Sequence, residues 1–411
     1  RYNLVDQSID AFEDASGVDA SASTNESRNA SNYYSGLAST QTEFTTTGSD
    51  TWTSPAGVTS ITVLVVGGGG GGSKGGWPCG GAGAGGLVYV SDYTVIASQL
   101  YNLTIGAGGT GATGSGAGGL GADSVFDTSD TSETLTAVGG GWSGAYGPIV
   151  GNGGSGGGGS VAGTTGTSTQ PASFGSYTSV GFGNAGGAGN SGDGPGGRPT
   201  GGGGGAGSAG FAYNGSPAGQ GGAGKDYSSV FGTGVGDSGW FASGGGAGNP
   251  SGAATAGGGG TGGTAPQVTA GAANTGGGAG GSHNDVNGVA GGSGVIIVKY
   301  DAPADLTLVS NAQTAESAPT NGDLVITISN GAGTTTPNTD IKAYISRDGS
   351  AYSSAVTLVD QGDTGGHTIL TANGVDLSGI TSGTSMRWKI TTHNQSVSKT
   401  TRVQAVSLGW S

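Results

Sequence analysis

Charged side chains, aromatic side chains and long apolar runs are all scarce in this sequence of 411 residues. Only 9% of the residues are charged and 7% are aromatic, and the formal net charge is −14. An acidic chain is repelled by nucleic acid and by anionic membrane surfaces, so we expect it to bind neither. No apolar run approaches the roughly 20 residues that span a bilayer, so we also expect no membrane insertion.

Residues that could bind a metal or catalyse a reaction are few. Cys79 is the only cysteine, which excludes an intrachain disulfide and argues against a cysteine metal site. The histidines, His283, His367 and His393, lack the spacing of metal ligands, and no nucleophile has a recognisable base beside it. We therefore expect no catalytic residue, no metal, no cofactor and no enzymatic activity.

Glycine is abundant instead, with 98 residues, of which 83 lie between residues 67 and 300. This distribution predicts three parts. Residues 1–48 form an acidic N-terminal attachment segment and linker, residues 49–300 form a glycine-rich domain, and residues 301–411 form a C-terminal module of ordinary composition.

The stretch "VLVVGGGGGGSKGG" (63–76) resembles the strand, glycine loop and lysine of a phosphate-binding loop. That loop reads GxxxxGK[ST] and continues into a helix. Here Ser73 stands where the lysine belongs, Lys74 comes one residue late, and Gly75 replaces the hydroxyl residue that binds magnesium. The chain continues "GGWPCGGAGAGG", which no α-helix tolerates. The pattern therefore argues against a nucleotide site.

In several tracts glycine recurs at every third residue, which is the period of the polyproline II helix. A bare glycine face lets neighbouring helices approach closely enough to form hydrogen bonds with each other. The alternative is a flexible glycine linker, but linkers do not carry buried-strand sequences at both ends. We therefore predict an ordered bundle of polyproline II helices. Two such tracts contain Gly80, Gly83 and Gly86, and Gly201, Gly204, Gly207 and Gly210.

Five segments of the glycine-rich domain alternate or run apolar as strands do. Two of them, "SITVLVV" (60–66) and "SGVIIVKY" (293–300), find no comparably apolar partner inside the tracts. We therefore predict that these two lie in one β-frame that closes the domain. The other three are "GLVYVSDYTV" (86–95), "QLYNLTIG" (99–106) and "ETLTAVGG" (133–140).

The order of strand and glycine phrases resembles the glycine-rich domain of tail-fibre and virion-surface proteins of aquatic and marine bacteriophages. The phrases are "TWTSPAGVTSITVLVVGGGGGG" (51–72), "GAGGLVYVSDYTV" (83–95), "LTAVGGGWSG" (135–144) and "GGSGVIIVKY" (291–300). The N-terminal segment and the end of the chain resemble parts of the same kind of protein. The resemblance implies a polyglycine-helix adhesin fold. It supplies no catalytic residue, and no binding residue either, because the binding loops of such adhesins vary in sequence.

The two ends of the chain have different patterns. Val5, Ile9 and Phe12 are spaced i, i+4, i+7, which predicts a short amphipathic helix within residues 3–15. An attachment or trimerisation segment and a helix packed on its own chain are both compatible with it.

Residues 301–411 alternate apolar and polar, which predicts a β-sandwich that binds glycans or acts as a spacer. Its expected strands are "DLVITIS" (323–329), "DIKAYISRD" (340–348), "AVTLVD" (355–360), "MRWKITTHN" (386–394) and "RVQAVSLGWS" (402–411), with turns at Asn330-Gly331, Asp348-Gly349 and Asn373-Gly374.

Aromatic residues of the middle domain cluster between the glycine tracts, where a back-and-forth bundle has its turns. They either cap the bundle, supplying the apolar burial that glycine lacks, or project outward as receptor contacts. Both roles remain open for each residue. The receptor-binding candidates are Trp142, Tyr146, Tyr177, Arg198, Tyr213, Tyr227 and Trp240.

These features predict a mainly β and irregular fold, with a polyproline II bundle on a β-strand frame and a C-terminal β-sandwich. The expected function is that of a non-enzymatic phage fibre or adhesin on the virion surface, binding a host receptor, protein or glycan. Its N-terminal segment would contact other virion proteins, and a homotrimer is compatible with it. One alternative is a structural spacer or filament subunit without a receptor. Another is an ice-binding protein, suggested by "GTTGTST" (163–169).

Overall fold

The computed structural model describes two compact units. Unit 1 comprises residues 1–40 and 301–411, and unit 2 comprises residues 41–300. The residues described are 2–4, 6–128, 133–145, 149–160, 164–190, 198–214, 219–249 and 251–411. Within them, no helix has the length and apolar character that crossing a membrane requires.

The fold is mainly β, as the sequence predicts, with several antiparallel sheets and a single four-residue helix, α1 (Ser228–Phe231), in the described parts. The strands in chain order are β1 (Tyr2–Leu4), β2 (Gln7–Asp10), β3 (Glu26–Asn29), β4 (Tyr33–Phe44), β5 (Gly48–Thr53), β6 (Ser60–Val66), β7 (Leu87–Thr94), β8 (Leu100–Ile105), β9 (Ser124–Thr128), β10 (Leu135–Ala137), β11 (Gly181–Phe182), β12 (Lys225–Asp226), β13 (Trp240–Phe241), β14 (Val295–Pro303), β15 (Thr307–Val309), β16 (Gln313–Thr314), β17 (Asn321–Ala332), β18 (Ile341–Ser346), β19 (Val359–Thr364), β20 (His367–Asp376), β21 (Ser385–Thr392) and β22 (Thr400–Trp410).

Unit 1 is built from two antiparallel sheets around one apolar core. In the first sheet, β22 pairs with β2 and β17, and β20 lies between β17 and β19. In the second, β21 pairs with β15, β16 and β18. Alternate residues of β21 and β22 are buried, because successive side chains of a strand point to opposite faces. The shared core contains Trp388, Ile326 and Leu408.

The helix predicted within residues 3–15 is wrong, because β1 and β2 occupy this segment and pair with each other. The i, i+4, i+7 spacing coexists with a period of two: Ser8 and Asp10 are buried while Gln7 and Ile9 are half-buried. Pairing with β22 satisfies the backbone hydrogen-bonding groups along one edge of β2, and this pairing stabilises a strand instead of a helix. The polar stretch beyond it, expected to be a linker, contains β3, which pairs with β4.

Two of the turns expected in the C-terminal module lie inside strands. Asn330-Gly331 falls within β17 and Asn373-Gly374 within β20. The β17–β22 register shifts between Asn330 and Ala332, so the first pair serves a bulge. The segment "AVTLVD" contributes only its last two residues to β19, and β20 was not predicted.

The strands of unit 2 follow the sequence pattern closely. β6 coincides with "SITVLVV", and it pairs antiparallel with β14, whose Val295 lies opposite Val66 and Lys299 opposite Thr62. The predicted closure of the domain by these two segments is therefore confirmed. β7 pairs with the other edge of β6, and a second sheet has the order β10-β9-β8-β5. Buried Leu64, Val66 and Ile297 pack against aromatic residues of the α1 region.

The glycine tracts form a hydrogen-bonded bundle in which successive residues meet different neighbours. In the central tract, 67–72, every third amide donates to the same adjacent tract at 2.8–2.9 Å. A repeat of three residues with outward-pointing amides is the geometry of the polyproline II helix and confirms the predicted bundle. Residues 67 and 70 donate to residues 86 and 83, residues 68 and 71 to residues 122 and 119, and residues 69 and 72 to residues 292 and 289.

Six consecutive glycines are required because the central tract is enclosed on every side. Three neighbouring tracts accept the hydrogen bonds of the central tract. The carbonyl oxygens of three further tracts occupy the positions that Cβ atoms of residues 67–72 would need. These oxygens belong to tracts 107–110, 138–141 and 277–280. A tract at the surface needs fewer glycines: Ala107, Thr110 and Thr113 are exposed at every third position. The glycines therefore allow the tracts to pack closely against one another.

The tracts run back and forth between two ends of unit 2. We call the end that contains β6, β7 and β14 the strand end. The opposite end, the loop end, is marked by reciprocal backbone bonds between Lys74 and Gly116 and by the bond from Asp285 N to Gly75 O. At about 3.1 Å per residue, a tract of six or seven residues separates the two ends by about 20 Å.

Candidate functional site

The described residues contain no group of three or more His, Cys, Asp or Glu side chains placed to hold a metal ion. The candidate binding groups of unit 2 are aromatic and cationic side chains. The sequence-predicted candidates that the structure describes form two groups, one at each end of unit 2.

Three candidates lie at the strand end, and two of them pack their rings on tyrosines of β7. Tyr227 is buried, and its ring lies 4.5 Å from that of Tyr89. Burial raises the pKa of the Tyr227 hydroxyl. Half-buried Tyr177 stacks on Tyr93 at 5.3 Å, and its hydroxyl oxygen accepts a bond from Thr94 N at 2.9 Å. Half-buried Trp240 belongs to β13. These contacts indicate capping of the bundle.

Three other candidates lie at or near the loop end. Half-buried Trp142 precedes Gly144, which accepts a bond from Gly80 N, and its indole N–H has no hydrogen-bond partner among the described residues. Tyr213 is half-buried, and its amide donates to Ala188 O at 2.9 Å. Arg198 lies at the start of the tract that runs from the loop end back to the strand end. Tyr146 lies outside the described residues.

The sequence analysis missed an exposed tryptophan at this end. The Trp77 side chain is 45% exposed, and the Arg198 guanidinium lies 4.0 Å from its ring centroid in a cation–π contact. Ile149, which also lies near the loop end, is 67% exposed. The available signal for Trp77 was its position: "WPC" interrupts glycine on both sides, and its proline lacks the amide proton that tract residues donate to neighbouring tracts.

A cleft of about 430 Å³ opens beside Trp77. Of the residues that the structure describes, Lys74 and Trp77 line it with large side chains, and Gly75, Gly76, Ser115, Gly116 and Ala145 also line it. Lys74 Nζ donates to Asn287 Oδ1 at 2.7 Å and to Thr113 O at 3.2 Å, which leaves its third proton available. Gly116 has φ of +148°, a conformation that favours glycine.

Other charged and titratable groups surround this cleft. Asp285 carries the one carboxylate described at the loop end, and its oxygens approach Gly76. Burial lowers the pKa of His283, which favours the neutral form of its ring. Cys79 is fully buried beneath Trp77, and burial raises the pKa of its thiol to about 11. A buried, protonated thiol is a poor nucleophile.

Unit 1 has a separate cationic cluster on its second sheet. Lys389 Nζ lies 4.3 Å from the ring centroids of both Tyr344 and Tyr352. Nearby Arg387 forms an ion pair with Asp19 at 2.6 Å. Because each cation here already has partners, the cluster stabilises the sheet.

Comparison with known proteins identifies the glycine-rich unit. No curated protein matches the chain. A family described as the glycine-rich domain matches residues 45–301, more than half of the sequence, and this range coincides closely with unit 2. By this match, the chain belongs to the glycine-rich domain family.

Proposed function

We propose that this chain is a non-enzymatic fibre or adhesin protein of a virion surface, and that it binds a host receptor through the loop end of unit 2. The observation that carries the proposal is the placement of exposed Trp77, with Arg198 and Lys74 beside it, at the end of a hydrogen-bonded bundle. Interfaces draw most of their energy from a few aromatic and arginine anchors.

The tract surfaces of unit 2 carry few large side chains that could anchor a partner. They present mainly glycine and small side chains such as Ala107 and Thr110, with Leu120 as an exposed apolar side chain among them. Gln41 Nε2 bonds to Phe231 O, and β14 carries Tyr300, so the chain enters and leaves unit 2 at the strand end. Within unit 2, the loop end is therefore the end opposite residues 41 and 300.

A spacer or filament subunit without a receptor is the alternative. The test uses the fluorescently labelled full chain on a panel of aquatic bacterial isolates. We expect Tyr213→Ala and Trp77→Ala to weaken cell binding by about 1–3 kcal/mol with an unchanged melting temperature. Trp240→Ala, the matched strand-end control, should lower the melting temperature while the folded protein keeps its cell affinity.

Two results would count against the proposal. If the folded loop-end variants bind cells as tightly as the unaltered chain, the contact surface lies elsewhere in the molecule. If the unaltered chain binds none of the isolates, the spacer interpretation is favoured.

A further inference from the structure

We propose that the cleft beside Trp77 binds an acidic saccharide unit, with the indole stacking on the sugar ring and Lys74 donating to the sugar's carboxylate. This inference rests on the proposed function, because it names the chemical class of the receptor that the loop end would contact. It follows from the size of the cleft, from the exposed ring and from the distribution of charge in unit 2.

The cleft has the dimensions of a small-molecule site. Its volume of about 430 Å³ lies within the range of about 300–1,000 Å³ typical of ligand pockets. Among the described residues, five small ones line it beside the two large side chains, Lys74 and Trp77. A flat protein surface would not accommodate one sugar ring in this way.

The indole of Trp77 is held in position for stacking. Arg198 packs on the ring, yet it is absent from the described residues that line the cleft. We therefore infer that Arg198 supports one part of the indole and leaves another part facing the cleft. The C–H groups on the face of a pyranose ring are attracted to the negative face of an aromatic system. A positioned indole loses little rotamer entropy when such a ring binds.

The charge distribution favours an anionic sugar over a neutral one. Unit 2 contains four cationic residues, and two of them, Lys74 and Arg198, lie at the loop end. The other two lie at the strand end, where Lys225 lies over the Phe182 ring and Lys299 bonds to Val230 O.

Lys74 is the group suited to bind the carboxylate. Two of its three protons are donated to Asn287 and Thr113, which fixes the ammonium, and the third can be donated into the cleft. A charge-assisted bond to a carboxylate is roughly twice as strong as a neutral one. Asp285 at the rim opposes anion binding, so removing its charge should strengthen the interaction.

The test measures binding of two matched probe pairs to the full chain by calorimetry: sialyllactose with lactose, and trigalacturonate with galactotriose. We expect the acidic member of at least one pair to bind about tenfold more tightly, a difference of about 1.4 kcal/mol. Lys74→Gln should remove this preference, and Asp285→Asn should increase it. Lys225→Gln, the strand-end control, should leave it unchanged, and Trp77→Ala should weaken both members of the pair.

The inference is overturned if neither acidic probe is preferred, or if Lys225→Gln reduces binding as much as Lys74→Gln does. Cell binding separates this failure from failure of the proposed function. Periodate treatment of the isolates should abolish binding of the full chain, and protease treatment should not. If protease abolishes binding and periodate does not, the receptor is a protein: the saccharide inference fails while the adhesin function stands.

Discussion

Individual glycines in the bundle differ according to what lies beside their Cα atoms. At Gly204 a Cβ would overlap the carbonyl oxygen of Asn184, and the glycine is buried. Gly114 has nothing within 4 Å of the same position and is exposed. Both belong to period-three glycine patterns, so the sequence alone does not distinguish them.

This difference predicts opposite effects of the same substitution. Gly204→Ala should destabilise the chain by about 1–3 kcal/mol, because the added methyl group forces neighbouring tracts apart, and Gly204→Val should cost more. Gly114→Ala should be neutral or stabilising by up to about 1 kcal/mol, since it only restricts the unfolded chain. Thermal unfolding of the three variants checks this. Equal melting temperatures for Gly204→Ala and Gly114→Ala would contradict close packing at Gly204.

In unit 1, buried Asp340 predicts a dependence of stability on pH. Its carboxylate accepts bonds from Lys399 Nζ at 2.8 Å, Asn394 Nδ2 at 3.0 Å and Thr336 N at 2.9 Å. These bonds, that from Lys399 foremost, lower the pKa of Asp340 to about 2. A carboxyl whose folded pKa is lowered stabilises the fold above its unfolded pKa of about 3.9 and loses that contribution as the pH falls through about 2.

We therefore expect Asp340→Asn to flatten the fall in unfolding free energy between about pH 4 and pH 2. Lys399→Met, which leaves the carboxylate without its cation, should cost about 1–3 kcal/mol at pH 7. Urea unfolding at a series of pH values measures both effects. An unaltered slope for Asp340→Asn would show that other carboxyl groups govern the acid transition.

At the scale of elements, Cys79 reports whether the tracts are ordered. Its amide donates to Ser282 O at 2.8 Å, and its carbonyl oxygen accepts from Gly248 N at 2.9 Å. Because the thiol is fully buried and burial raises its pKa, alkylation requires the surrounding tracts to separate.

We expect negligible labelling of Cys79 by iodoacetamide at pH 8 in the native protein and complete labelling in denaturant. Gly204→Val should accelerate native labelling, because the carbonyl oxygens of Gly201 and Gly204 accept bonds from Gly81 N and Ala84 N in the tract that follows Cys79. Fast labelling of the unaltered chain, as in a free peptide, would favour the flexible-linker interpretation over the ordered bundle.

The sequence predicted elements well where one period dominated. "SITVLVV" and "SGVIIVKY" are apolar at nearly every position, and a strand buried on both faces was the only assignment that fitted. Residues 3–15 satisfied two periods, and pairing of β2 with β22, nearly 400 residues away, decided between them. Such distant pairing leaves no local signal. Tertiary context likewise turned Asn330-Gly331 from an expected turn into a bulge.

At the scale of the whole molecule, the sequence placed the aromatic candidates at turns but did not assign the turns to an end. Tyr177 and Tyr213 both follow glycine tracts, yet the first packs on the β-frame and the second lies at the loop end. A turn lies at one end of unit 2 if an even number of tracts precedes it, and at the other end if that number is odd. Because short reversals of the chain are not recognisable in the sequence, the tracts cannot be counted from the sequence alone. Trp77 was not predicted, because it stands alone in the sequence whereas the predicted aromatic candidates lie in clusters.

The N-terminal segment was expected to serve attachment, and the structure includes it in the core of unit 1. Phe12 is fully buried, with its ring 4.9 Å from Tyr34 and 6.2 Å from Trp388. An attachment role for the exposed residues of this segment stays a prediction. The buried ring makes a separate and testable claim about stability.

Phe12→Ala should destabilise the full chain by about 3–5 kcal/mol, because it removes a buried ring and leaves a cavity between Tyr34 and Trp388. Leu37→Ala is a suitable control, since Leu37 lies in the same N-terminal segment and is 37% exposed. It should change stability by less than about 1 kcal/mol. Denaturant unfolding monitored by near-ultraviolet circular dichroism measures both variants. A segment that only attaches the protein to another virion component would give the same small change for Phe12 and Leu37. A loss confined to Phe12→Ala would instead show that residues 1–40 fold with residues 301–411 in solution.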